Sequence, residues 1–209
     1  MKISKHIHSC LLIEEKDKVI LIDPGNYTDQ EKALDVDSLK QLNYLLITHE
    51  HTDHMYIPLI KQLVEKFAGV EIISNDSVKN ILIKEGIRIS TNGNKFIEIH
   101  DTPHEKLPFS LPTPPNSLFT IFDKLTHPGD SLSFDKTTSA LALPIQAPWT
   151  SLTASIEKAV ELKPKVIIPI HDWHWKDSVR KNFYERAKDY LKQFNIEFKG
   201  LETGETIEI

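Results

Sequence analysis

Between Thr48 and His54 the chain reads Thr-His-Glu-His-Thr-Asp-His, which sets His49, His51, Asp53 and His54 within one short stretch. Imidazole nitrogens and carboxylate oxygens are the donors that zinc and similar borderline cations take. In extended chain His49 and His51 point to the same side. Asp53 and His54 come a turn later and can face a second ion, so one short loop can serve two. A single histidine is ordinarily a surface group. An H-x-H-x-D-H cluster placed directly after an apolar strand is too dense for that reading. The chemistry such a site offers is activation of water and polarisation of a carbonyl or phosphoryl oxygen.

A loop of this kind needs a rigid frame. Apolar runs predict strands over 7–14, 19–23, 43–48, 70–73, 96–100, 139–144 and 166–170, with a short edge strand over 205–209. Asp23-Pro24-Gly25 closes the second of these with turn residues. Residues 117–122 and 125–127 pair as a hairpin about Asp123-Lys124. Helical spacing covers a short stretch at 37–42, then a helix from Pro58 to Phe67, one over 77–85, one from a Thr150 or Ser151 cap to Leu162, and the longest over 178–194. Residues 101–116 hold five of the twelve prolines and read as an irregular loop suited to an active-site rim. Strands and helices alternate, which argues an α/β architecture.

The chain has 209 residues, enough for one domain over 1–209 with a real core. Its formal charge of -5 disfavours a nucleic-acid partner, which usually demands a basic face. No apolar run approaches a membrane span, and charge interrupts the N-terminus too early for a signal peptide. The one cysteine, Cys10, cannot form an internal disulfide and reads as a small buried hydrophobe. A cytoplasmic protein acting on a small molecule is the expectation.

The phrase Thr48–His54 resembles the signature of the metallo-β-lactamase superfamily. Further stations of that family follow in order: Leu21-Ile22-Asp23-Pro24-Gly25, Thr102-Pro103-His104, Pro128-Gly129-Asp130-Ser131 and Ile168-Pro169-Ile170-His171. The resemblance implies an αββα four-layer sandwich. It implies one ion held by His49, His51 and His104, another by Asp53, His54 and His171, and Asp130 bridging both. Asp53 and Asp130 thereby enter the catalytic set, and Asp23 orients ligands through hydrogen bonds. His100 is a rival to His104, but it ends an apolar strand. His8, His127 and His174 are candidates for protonating a leaving group, and Trp173 and Trp175 either line the pocket mouth or pack at the sandwich edge. Phrases about His8–Ile13, Gly129–Ser131 and Lys163–His171 resemble the L-ascorbate-6-phosphate lactonase-like branch.

The implied function is hydrolysis of an ester, lactone or phosphodiester by a hydroxide shared between two divalent ions, zinc first, with manganese or iron as alternatives. A mononuclear iron oxygenase and a non-catalytic metal-stabilised binding protein share the fold. A tRNA-processing nuclease shares the motif but needs a basic surface. Flavodiiron oxidoreductases carry a carboxylate where His51 stands.

Overall fold

The computed structural model describes residues 1–209. Two six-stranded sheets face each other. The first contains β1 (Lys2–Lys5), β2 (Leu11–Glu15), β3 (Lys18–Ile22), β4 (Tyr44–Leu46), β5 (Glu71–Ile73) and β12 (Thr206–Glu208), in the order β12-β1-β2-β3-β4-β5. The second contains β6 (Ile97–Pro103), β7 (Pro115–Ile121), β8 (Leu125–His127), β9 (Ala140–Pro144), β10 (Val166–Ile170) and β11 (Glu197–Phe198), in the order β11-β10-β9-β8-β7-β6. Helices α1 (Asn26–Gln30) and α2 (Ile57–Lys66) connect strands of the first sheet, α3 (Asp76–Lys84) leads from β5 of the first sheet to β6 of the second, and α4 (Leu152–Leu162) and α5 (Asp177–Leu191) connect strands of the second.

The alternation of side chains along each strand builds the layers. Ile20, Ile22, Leu46 and Ile73 of the first sheet meet Phe119, Ala140, Ala142, Ile168 and Ile170 of the second in the central core. The residues between them point outward. Leu21, Leu45 and Ile72 pack under Leu59, Ile60 and Leu63 of α2 and Val78 and Leu82 of α3. Leu141, Leu143 and Ile167 pack with Ala159 of α4 and Ala187 and Leu191 of α5. Strands buried on both faces must be apolar throughout, which is why the runs at β3, β4, β9 and β10 are so legible. The result is the expected αββα sandwich. No helix is long and apolar enough to cross a membrane.

Strand direction decides where chemistry can sit. β1 is antiparallel to β2 and β2 to β3, while β3, β4 and β5 are parallel. In the second sheet β6 is antiparallel to β7 and β7 to β8, while β8, β9 and β10 are parallel. β1, β3, β4 and β5 therefore end on one edge of their sheet, and β6, β8, β9 and β10 on one edge of theirs. Open α/β sheets bind ligands outside the carboxyl ends of such strands.

Four local expectations are corrected. The strand expected over 7–14 is interrupted: β1 ends at Lys5, β2 starts at Leu11, and Ile7 and His8 stand between them with φ of 71° and 53°. The helix expected over 37–42 is only a 3-10 turn at Val36–Ser38, because the Asp35 carboxylate accepts from Asp37 N and Ser38 N and the chain leaves extended at Leu39. The proline-rich loop is shorter than expected, since β6 runs to Pro103 and pairs with Pro115 of β7. Proline is tolerated there because β6 is an edge strand. The helix expected over 178–194 gives way to a 3-10 turn at Lys192–Phe194. The hairpin forms as expected, with Phe122 and Asp123 both at positive φ, the conformation a tight hairpin requires.

Phe119 is fully buried between the sheets. Replacing it with alanine should cost about 3–5 kcal/mol of unfolding free energy, read as a lower urea midpoint at unchanged slope.

Candidate metal centre

Each residue of the site lies just past the carboxyl end of one of these strands. His8 follows β1, Asp23 follows β3, and the Thr48–His54 loop follows β4. His104 follows β6, Asp130 follows β8, Trp149 follows β9 and His171 follows β10. The motif loop is folded by local and long-range backbone bonds: the His54 and Met55 amides donate to His51 O at 3.0 and 2.8 Å, and Asn26 N donates to Thr52 O at 2.8 Å. Gly25 lies against this loop so closely that a Cβ there would sit 1.8 Å from Asp53 O. Ser117 N and Asn75 Nδ2 donate to Thr48 O at 2.9 and 3.0 Å, which joins the two sheets at the site. Asn116 accepts from Asp130 N at 3.1 Å and donates to Pro128 O at 2.9 Å, fixing the Asp130 turn. Gly129 in that turn has φ of 59°, and a Cβ on it would meet Asn116 and Thr48.

The buried Asp23 carboxylate organises the rings of the site. It accepts from Thr48 N and Thr48 Oγ1, each at 2.8 Å, and from the Nδ1–H of His54 at 2.7 Å. Because the Thr48 hydroxyl spends its proton on Asp23, it accepts from the Nδ1–H of His49 at 3.0 Å. His104 Nδ1–H donates to Glu105 O at 2.6 Å, and His171 Nδ1–H donates to Gln146 O at 3.1 Å. A neutral imidazole that donates from Nδ1 has a bare lone pair on Nε2. As neutral imidazoles the four rings therefore share one tautomer, each with its Nε2 lone pair turned inward.

Those lone pairs converge on Asp130. Its Oδ1 lies 3.1 Å from His54 Nε2 and 3.0 Å from His171 Nε2. Its Oδ2 lies 3.7 Å from His49 Nε2 and 3.4 Å from His104 Nε2. His54 Nε2 and His171 Nε2 are 3.2 Å apart, and His49 Nε2 is 3.1 Å from His51 Nδ1. His104 Nε2 and Asp130 Oδ1 are buried without a hydrogen-bond partner. Acceptors turned toward one another in a buried space repel unless a cation lies among them. The donor set thus fits metal ions, and it falls into two groups whose ligand atoms all lie within 4.8 Å of one another: His49, His51, His104 and Asp130, and His8, Asp53, His54 and His171.

All seven residues expected as ligands are brought together. His104 takes the place for which His100 was the rival. His100 is exposed on β6, 3.3 Å from Glu98. His127 is fully buried, bonded to Ser9 O at 3.2 Å and accepting from Gly129 N at 3.3 Å, which removes it from the candidate proton donors. The two tryptophans divide. Trp173 stacks on Tyr27 with centroids 4.4 Å apart, and the Tyr27 hydroxyl is 3.2 Å from His174 Nε2, forming a rim. Trp175 packs on Phe183 of α5. Sequence reasoning missed Trp149, whose Nε1–H donates to Asp130 Oδ2 at 3.1 Å. Its signal was Pro148-Trp149 in the tight turn between β9 and α4. His8 had been singled out only as a proton donor, yet it sits within the second group, its Nε2 3.1 Å from Asp53 Oδ2.

Charge follows burial and company. Burial, then the charge of His54, holds His49 well below the ordinary imidazole value. Burial and the neighbouring His171 push His8 down to about 3. Burial opposes the charge of His54 as well, but Asp130, Asp23 and Asp53 outweigh it and raise His54 well above the usual value. Burial pushes Asp53 up, but His54 and His8 overcome it and its carboxyl falls below the usual range. Asp130 is held well below that range in the same way, burial being outweighed by His171, His54 and His49.

Beside His171 lies a buried ion pair. Lys5 Nζ is 2.6 Å from Asp172 Oδ2, which also accepts from the Tyr184 hydroxyl of α5. Lys5→Met leaves Asp172 buried without its cation and should destabilise the fold by about 3–5 kcal/mol in chemical denaturation.

With metal removed by a chelator, stability should fall as pH drops below 6.5. His6, His8, His49, His51 and His127 all have folded values under 6.5, so the unfolded chain binds more protons there. His54 acts oppositely, its contribution being present below 6.5 and lost as pH rises toward its raised value. Asp53 and Asp130 contribute above 3.8 and lose it as pH falls through that value. Melting temperature against pH in chelator reads the balance, and a rise on acidification from pH 7 to 5 would contradict it.

Comparison with known proteins agrees with this fold. A family model described as a beta-lactamase superfamily domain matches residues 2–171. A UPF0173 protein of Pyrococcus abyssi is 31% identical, covering 82% of this chain and 83% of that protein. A UPF0173 metal-dependent hydrolase of Staphylococcus aureus is 25% identical over 82% of this chain and 85% of its own. The structure of a metallo hydrolase from the archaeon Ignicoccus hospitalis superposes with a TM-score of 0.74 at 20% identity, covering 99% of this chain and 97% of that one.

Proposed function

The chain belongs to the beta-lactamase superfamily, and we propose that it is a metal-dependent hydrolase with a dinuclear centre acting on an ester, lactone or phosphodiester of a small molecule. The observation that carries this reading is the convergence of four bare Nε2 atoms on the two oxygens of Asp130. His49, His51 and His104 would hold one ion, and Asp53, His54 and His171 the other. Asp130 would offer Oδ2 to the first and Oδ1 to the second. Two divalent ions held there, zinc foremost and manganese or iron as alternatives, would supply a water of lowered pKa and polarise the oxygen under attack.

The chain's own groups do the rest. Asp23 and Thr48 hold the His49 and His54 rings in the tautomer that points Nε2 inward, the support that metal-binding histidines need. The Trp149 indole, donating to Asp130 Oδ2, fixes the carboxylate between the clusters and walls one side of the site. Tyr27, Trp173 and His174 form the opposite rim, an aromatic surface suited to the body of a small substrate. His174, exposed and bonded to Tyr27, is the ring placed to pass a proton to a leaving group. The resemblance to the lactonase-like branch favours the lactone end of the substrate range. A UPF0173 relative that carries the name metal-dependent hydrolase supports the reaction class.

Elemental analysis of protein purified without chelator, run beside Asp130→Asn, tests the reading. The expected result is about two divalent ions per chain, fewer in the variant, and hydrolysis of a lactone, ester or phosphodiester panel that drops by more than about 100-fold, beyond the loss of a supporting partner. A single iron without hydrolysis, or no metal after reconstitution, would overturn it.

A further inference from the structure

His8 does not share the pattern of the other buried rings around the clusters. His49, His54, His104 and His171 each spend Nδ1–H on a hydroxyl, carboxylate or carbonyl and turn a bare Nε2 inward. His8 Nδ1 is buried and has no partner, and its Nε2 faces the Asp53 carboxylate at 3.1 Å. Metal-binding histidines almost always donate their other ring nitrogen to a partner. A carboxylate, for its part, only accepts. The tautomer that satisfies Asp53 places the His8 proton on Nε2, which removes the lone pair a metal would need.

On the reading of the site given above, we propose that His8 is the positioning residue of the second cluster: its Nε2–H holds the Asp53 carboxylate toward His54 and His171, and His8 is not itself a ligand. Asp53 sits in the turn of the motif loop and is partly exposed, its side chain 26% accessible. The bond from His8 is the hydrogen bond that its carboxylate makes. The same oxygen, Oδ2, lies 3.8 Å from His54 Nε2 and 4.0 Å from His171 Nε2. Donors about 2.0–2.1 Å from a tetrahedral zinc stand about 3.3 Å apart, so Oδ2 is already close to ligand spacing. Released from His8, the Asp53 side chain is free to turn to solvent.

The fold fixes the donor as firmly as the acceptor. His8 lies in a turn closed by His6 N to Cys10 O at 2.8 Å and Cys10 N to Ile7 O at 2.9 Å. Ile7 and His8 are both left-handed there, a conformation that is costly for a side-chain-bearing residue and tends to gather at functional sites. His171 N donates to His8 O at 3.3 Å, and the His8 ring rests 3.9 Å from that of His171 and 5.3 Å from Tyr27, edge-on. Packing on both sides aims Nε2 at Asp53.

Two substitutions separate the donor from the ring. His8→Gln keeps an N–H near the Nε2 position and loses the ring. His8→Phe keeps the ring against His171 and Tyr27 and loses the donor. The measurement is the dissociation constant of each zinc equivalent by competition with a chromophoric chelator, with the absorption spectrum of the cobalt-loaded protein beside it. Circular dichroism of the metal-free variants controls for folding. The expected result is a second equivalent weakened about 10–100-fold in His8→Phe, a first equivalent unchanged, and recovery in His8→Gln with the wild-type cobalt spectrum. Loss of the second equivalent in both variants, with an altered cobalt spectrum in His8→Gln, would make His8 a ligand and overturn the proposal. Loss in His8→Gln alone would reduce His8 to packing, and unchanged affinity in both would remove it from the site. A wild-type protein that takes up fewer than two equivalents would instead strike the dinuclear reading itself.

Discussion

Asp130 is a fully desolvated carboxylate with four imidazole lone pairs facing it. The Trp149 N–H is its one hydrogen-bond donor, and the inward nitrogens of neutral rings can only accept. Burial of such a group carries a heavy cost unless positive charge shares the space. Much else follows from that constraint. Asp23, Thr48, Glu105 O and Gln146 O exist in this role to take the Nδ1 protons away, so that the inner nitrogens stay bare. Against burial, which lowers it, the charges of Asp130, Asp23 and Asp53 raise His54 well above the usual imidazole value.

The sandwich supplies the rigidity that this repulsive arrangement needs. The groups of the site come from strand ends of both sheets, so no single element can relax without breaking the core that holds the other. The bonds to Thr48 O from Asn75 and Ser117 tie the sheets together beside the motif. Three residues of the site, His8, Asp23 and His171, take left-handed backbone at φ of 53°, 49° and 62°. Each lets a strand end turn its side chain across the gap between the sheets. The cost of those turns, about 1–3 kcal/mol apiece, is offset by the extended core behind them.

The two clusters are not equivalent. The first is walled by Trp149 on Asp130 Oδ2 and reached by His51, which is half-exposed. The second is covered by His8 and by the Tyr27–Trp173–His174 rim. An asymmetric mouth of this kind orients a substrate without a change in the donor set, and it is where relatives with the same fold are free to differ.

The donor types of the candidate site and most of the frame were legible in the sequence. His49, His51, Asp53 and His54 lie within one turn of chain, so their proximity is a local fact. The strands of the central layers are buried on both faces, so their apolar runs announce them. His104, Asp130 and His171 could be named from the order of motifs in a family resemblance, but the division of Asp130 between two clusters, one oxygen to each, belongs to the tertiary structure. His8 and Trp149 were decided there too. The run 7–14 has a strand-like pattern, and nothing local to it requires Ile7 and His8 to turn left-handed. That turn is held by the backbone of His171, far along the chain but adjacent in the fold, and by contact with Tyr27. Donor identity and periodicity are properties of neighbouring residues and can be read in order along the chain. The direction of a ring, the tautomer it keeps and the charge it carries depend on partners that only the packed sheets bring within reach.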